Sequence, residues 1–164
     1  MGLFDRIRGR AADDDTASET ADDTAGSIEA LDPVDAIGTR ALTPDEQASL
    51  DAVRAGYAEH AIDPADLASI EAAYDRALER HDGGDDTAAD AVSVLGTALG
   101  DHLVAVGGYR WVMSTDPFGT DLAVEPPRRG VPVVTRMLVA VRWMGRERNW
   151  LTGVTEHLVR LGRG

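Results

Sequence analysis

The run LGTALGDHLV, residues 95–104, sets Gly96 and Gly100 one turn apart inside an otherwise apolar helical stripe. A glycine inside a helix costs about 1 kcal/mol relative to alanine, because its backbone loses more freedom on folding and it brings no side chain to pack. A chain that keeps two of them on successive turns is predicted to hold a neighbouring backbone close against that face. Around them Val92, Leu95, Leu99 and Leu103 recur at helical spacing, so residues 88–106 read as a buried helix, ended by Gly107 and Gly108.

Two amphipathic helices precede it. In LTPDEQASLDAVRAGY, Thr43 can act as N-cap, Pro44 suits the first helical position and Glu46 completes a capping box, with Leu50, Val53 and Tyr57 on one face. DPADLASIEAAYDRALERH repeats the device: Asp63 caps, Pro64 starts, and Leu67, Ile70, Tyr74 and Leu78 keep the stripe. After residue 108 the period changes. YRWVMST and DLAVE carry β-branched and aromatic residues, and DPFGT between them has the Asp, Pro and Gly placement of a type I turn. VPVVT reads as a third short strand, and RMLVAVRWMG and WLTGVTEHLVRL return to helical spacing. Blocks of helices, then strands, then helices predict an α+β fold: N-terminal helices, a small antiparallel sheet of about three strands with a hairpin, then C-terminal helices.

Length and charge set the organisation. A chain of 164 residues suffices for one domain of ordinary size. Its 29 acidic residues outnumber 16 basic ones, all of them Arg, for a net charge of -13. Arg-only usage points to a high-GC genome or a salt-adapted proteome. A polyanion repels phosphate backbones, so no nucleic-acid partner is expected. With no cysteine there is no disulfide, thiolate nucleophile or Cys-based zinc site. Residues 11–39 hold nine acids and no base in an Ala, Thr and Ser background, so 11–40 is expected to be a disordered acidic linker. It follows a basic amphipathic tip, residues 1–10, where Leu3, Phe4 and Ile7 share a side; the tip could touch an anionic membrane, dock on a partner or be inert. Residues 41–164 are expected to form a single α+β domain, acidic to Gly100 and Arg-rich beyond it, with nine Arg against six acids from Asp101 on. No apolar run comes near a membrane span, MGLFDRIRGR lacks the apolar centre of a signal peptide, and Arg6 breaks a myristoylation motif, so the expected location is the cytoplasm.

The segments LGTALGDHLV (95–104), YRWVMSTDPFGTDLAV (109–124) and VPVVTRMLVAVRW (131–143) resemble a bacterial domain of unknown function, number 3806 in its series. That family shows an LG-x-x-LG helix, a Trp-bearing strand, a D-x-[FY]-G turn, and a Val/Pro strand running into a helix with a basic residue. The resemblance extends over about residues 43–162 and rests on packing and turn signatures. It implies an α+β fold and brings no activity, substrate or catalytic residue. One departure is Thr135 and Arg136, where an Asn or Ser cap would be expected before the helix.

The chemistry-bearing residues are few. Asp116 occupies the turn position where a carboxylate accepts backbone N–H groups, and Asp121 begins the return strand, so punctuation of a hairpin is favoured over an acid pair. Of the histidines, His60 and His81 lie near predicted helix ends, and none of the four forms a metal-ligand pair. Asp101 and His102 could be half of an acid/base couple, but no nucleophile signature accompanies them. The glycines at 96 and 100 lie within a helix, which excludes a phosphate-binding loop. No cofactor and no metal site is expected. Arg142, Arg146 and Arg148 crowd around Trp143 and Trp150, a composition shared by binding surfaces and cation–π pairs, and the indoles themselves are expected to anchor in the core at a solvated basic helix end. The favoured reading is a protein-interaction or regulatory module without catalysis, meeting a protein partner through this C-terminal Arg/Trp patch. The alternative is a small-ligand binder or enzyme whose pocket lies between the 109–124 hairpin and the Gly96/Gly100 helix, lined by Trp111, Asp116, Asp121 and Arg136. Oligomeric state is left open.

Overall fold

The computed structural model describes residues 37–84 and 88–163, and the expected tip at 1–10 and the linker up to residue 36 lie outside them. In chain order the elements are β1 (Gly38–Arg40), α1 (Pro44–Arg54), α2 (Leu67–Asp82), α3 (Ala88–Gly107), β2 (Arg110–Asp116), β3 (Gly119–Glu125), α4 (Thr135–Met144) and α5 (Leu151–Arg163). The fold is α+β, helices at both ends around a three-stranded antiparallel sheet ordered β1-β2-β3.

One strand is not where the residue pattern places it. The third strand is β1, ahead of residue 41, which pairs with β2 from Gly38↔Thr115 to Arg40↔Met113. VPVVT forms no named strand and contributes one antiparallel bridge, Val124↔Val133, with both N–H···O bonds at 2.9 Å. Pro132 has no N–H to give, and a ladder cannot extend through it.

The capping box at Thr43 forms as expected: its hydroxyl accepts the Glu46 N–H at 3.3 Å, and Glu46 accepts the Thr43 N–H at 2.8 Å. Asp63 and Pro64 do not start α2. Asp63 accepts the Ala65 N–H at 2.9 Å to close a turn, and Asp66 is the N-cap, accepting from Ala68 at 3.0 Å. The helix α4 begins at Thr135 with Val134 as an N-cap that makes no side-chain bond. Thr135 instead points into the core, fully buried, and among the described residues its hydroxyl has no partner.

The long helix α3 occupies the centre, in contact with α1, α2, α4, α5 and both hairpin strands. By length and composition it could cross a membrane, unlike the expectation from the residue runs, yet more than half of it is buried within the fold. Its Leu95, Leu99 and Leu103 meet Ile70, Tyr74, Leu78, Val124, Val139 and Leu151 in one apolar cluster. Each such side chain contributes about 1.5–3 kcal/mol by leaving water. The expected close backbone is met at Gly96, whereas at Gly100 the close neighbour is a side chain. A Cβ on Gly96 would lie 2.7 Å from the Cα of Arg136, in the first turn of α4. At Gly100 it would lie 2.2 Å from the Trp111 ring.

Gly100→Ala therefore has to displace an indole and is expected to destabilise by about 1–3 kcal/mol. Gly153→Ala, in α5 with nothing within 4 Å of its would-be Cβ, should stabilise by up to about 1 kcal/mol. Urea unfolding of the pair checks this, and effects of equal size and sign would remove the steric account. Thr135→Val keeps the volume and deletes a buried hydroxyl without a partner, so its unfolding midpoint should rise, by about 1 kcal/mol of stability.

Candidate functional site

The aspartate of the disfavoured Asp101–His102 couple is a structural tie. Its carboxylate accepts four hydrogen bonds, from Arg54 Nε at 2.8 Å and Nη2 at 2.5 Å, from the Tyr57 hydroxyl at 2.8 Å and from Trp111 Nε1 at 2.8 Å. Burial alone would raise its pKa, but the bonds from Arg54, Trp111 and Tyr57 outweigh burial and hold it below the usual carboxylate range. The Tyr57 hydroxyl moves the other way, raised by its own burial and then by its bond to Asp101. A carboxylate with its acceptor sites filled stays ionised and has no lone pair for proton transfer. His102, about 100° further round the helix, turns to the carbonyl of Pro64, 2.9 Å from Nδ1, and the two side chains do not act together.

Of the alternative pocket's four lining residues, Asp121 and Arg136 come together, and Trp111 and Asp116 are engaged elsewhere. Trp111 is held on Gly100 by Asp101. Asp116 Oδ1 accepts the N–H groups of Phe118 at 2.7 Å and Gly119 at 3.0 Å, closing the hairpin turn. Asp121 lies 3.8 Å from Arg136, both half exposed, a pairing of small energetic consequence. Between hairpin and α3 there remains a cavity of about 220 Å³ bordered by Ser93, Thr97, Met113, Leu122 and Arg136. A neighbouring hollow of about 340 Å³ takes in Asp121 and Arg136. Among the described residues no three His, Asp or Glu side chains converge as metal ligands would.

The Arg/Trp patch is organised inward. Trp143 and Trp150 are 6% and 8% exposed and meet the Tyr74 ring edge-on, with centroids 5.8 and 5.7 Å away. The Arg142 guanidinium lies 5.9 Å over the Trp150 ring and pairs with Glu147 at 3.2 Å. Arg146 pairs with Asp82, and Arg148 with Asp75 at 3.3 Å and Glu79 at 3.4 Å. These arginines face the acidic side of α2, and a partner arriving there would meet ion pairs instead of indoles.

What the residue pattern missed is a groove of about 630 Å³ between the 126–134 loop, α4 and α5. Tyr109, Leu138 and Leu158 border it, and Val131, Met137, Val141 and Leu161 border it while 45–62% exposed. Tyr109 is fixed there by donating its hydroxyl to the Leu158 carbonyl at 2.7 Å and by the bare faces of Gly107 and Gly162. The described lining includes two arginines, Arg129 and Arg142, and no carboxylate, although the chain holds 29. Helical spacing did show apolar residues in 135–144 and 151–163; it could not show that some of them find no neighbour. Phe118, at the hairpin tip, was also missed and is 99% exposed.

The Asp101 tie has a pH signature. Because its folded pKa lies below the unfolded value of about 3.9, its stabilisation is complete above that pH and is lost as pH falls from there through the folded value. Asp101→Asn strips the charge from a partly buried pair and should cost about 3 kcal/mol at neutral pH. Below pH 4 the wild type should lose stability more steeply than the variant, and parallel melting curves from pH 7 to pH 2 would show the tie to be unimportant.

No curated protein and no solved structure matches the chain. The model of a family described as a domain of unknown function, DUF3806, matches residues 66–152. That span runs from the N-cap of α2 to the first turn of α5. It takes in the Gly96/Gly100 helix, the whole hairpin, α4 and most of the groove, more than half of the 164 residues. The chain belongs to the DUF3806 family of domains of unknown function.

Proposed function

We propose that this domain is a cytoplasmic protein-interaction module without catalysis, and that its docking surface is the α4/α5 groove in preference to the Arg/Trp patch. The observation that carries the reading is the coincidence of exposed Val131, Met137, Val141 and Leu161 in one concave surface that holds arginines and no carboxylate. Apolar anchors bury there, and the groove's sign selects against further polycations and for a segment whose apolar residues are flanked by acids. The Asp101 network supports the non-catalytic part, since it spends the best-placed carboxylate on packing. The small-ligand alternative rests on the 220 Å³ cavity and the 340 Å³ hollow beside Arg136, which fall below or at the small end of the roughly 300–1,000 Å³ of most ligand pockets.

Met137→Glu and Leu161→Glu, at positions 57% and 62% exposed, should leave the melting temperature nearly unchanged. Each should abolish co-purification of a protein partner with the tagged full chain, whereas Arg146→Glu should retain it. Loss of the partner with Arg146→Glu and its retention with both groove variants would return the site to the Arg/Trp patch.

A further inference from the structure

We propose that the groove of one copy receives the β2–β3 hairpin tip of a second copy, with Phe118 as the inserted side chain. This rests on the reading of the groove as a docking site. Phe118 is one of two phenylalanines in the chain, and it stands almost fully in water at the end of a rigid support. The support is rigid because seven-residue strands pair in register from Arg110↔Glu125 to Asp116↔Gly119, and Asp116 Oδ1 holds the N–H groups of Phe118 and Gly119. An aromatic side chain displayed on a preorganised turn loses little conformational freedom when it is buried.

Charge picks out the occupant. The tip carries Asp116 and Asp121 on either side of the aromatic with no basic residue between them in sequence, and Arg136 beside it stands 3.8 Å from Asp121 in a half-exposed pair. The groove's described lining carries Arg129 and Arg142 among apolar side chains and no carboxylate, and the Glu147 that pairs with Arg142 stands outside that lining. The tip is thus an acid-flanked apolar anchor of the kind the groove selects.

Geometry makes the contact intermolecular. Tyr109 and Pro126, which border the groove, flank the base of the hairpin, and Phe118 lies at its other end. Seven residues at about 3.3 Å each place the tip roughly 20 Å from its own groove. Insertion therefore joins different surfaces of two copies, a head-to-tail contact that extends into a chain or closes into a ring. A single turn in a groove buries less than a standard interface, so the association is weak and depends on concentration.

Sedimentation velocity of the full chain over rising concentration tests this. Wild type should show increasing mass, and Phe118→Ala and Leu161→Glu should each weaken association by more than about tenfold, as loss of a central anchor does. An equimolar mixture of the two should form a 1:1 dimer, because one variant keeps an intact groove and the other an intact tip. Wild type monomeric throughout, or Phe118→Ala associating like wild type, would overturn the proposal. A photo-crosslinking p-benzoylphenylalanine at position 137 in cells separates this failure from that of the groove itself. A crosslink to the peptide bearing Phe118 of another copy supports self-docking. A crosslink to a different protein only overturns self-docking and keeps the groove as a docking site, and no crosslink at all overturns both.

Discussion

The Asp101 carboxylate takes the Arg54 guanidinium, the Tyr57 hydroxyl and the Trp111 indole N–H together, and the ring so held is the one that lies across Gly100. These two contacts depend on each other. Without the bare face at Gly100 the indole could not approach α3 closely enough to reach the carboxylate one residue on. Without the carboxylate the ring would bury an N–H with no partner, at a cost of about 1–3 kcal/mol. Since Trp111 opens β2, the pairing sets how the whole hairpin lies on α3. Tyr109, two residues earlier, is thereby directed under α5, where it borders the groove.

The reversal of charge along the sequence has its explanation in tertiary structure. The acidic side of α2, with Asp75, Glu79 and Asp82, receives Arg146 and Arg148 from the α4–α5 connection. Pairs this exposed contribute about 0–1 kcal/mol each. Their effect is local: they anchor a loop in which Arg146 and Asn149 adopt positive φ, and that loop delivers Trp150 to the Tyr74 ring. Arg146 and Arg148, two of the arginines that appear in sequence as a basic patch, are in the fold counter-charges to a helix some 70 residues earlier.

Features whose cause is local were legible before any coordinates. The capping box at Thr43 and the Asp116 turn each need only a few neighbouring residues, and the Gly96/Gly100 pair declares its cost within a single helix. Features that depend on distant partners were not. Gly38–Arg40 is three residues at the end of an acidic run, with no periodicity to mark it, and becomes a strand only because β2 presents an open edge. That Trp143 and Trp150 anchor in the core is readable from their residue type, but that Tyr74 of α2 receives both of them edge-on is not. Exposure is the hardest property to read. Met137 and Val139 lie two residues apart in one helix, yet one is 57% exposed and the other 1%, because α3 covers only one side of α4.

That uncovered side stays open for a physical reason. The loop that forms its far wall contains Pro126, Pro127 and Pro132, whose fixed φ angles limit how far the segment can fold in over Met137 and Val141. At the end where the wall leaves β3, Pro126 closes against Gly130, where a Cβ would come within 2.9 Å. At the end where it enters α4, Val133 is tied to Val124 by two backbone bonds and Thr135 is locked in the core as the first residue of the helix. A wall pinned at both ends and stiffened between them cannot collapse to bury the apolar side chains facing it. Their exposure is then a standing property of the fold, and an incoming apolar group gains the hydrophobic free energy of burial without first having to prise the groove open.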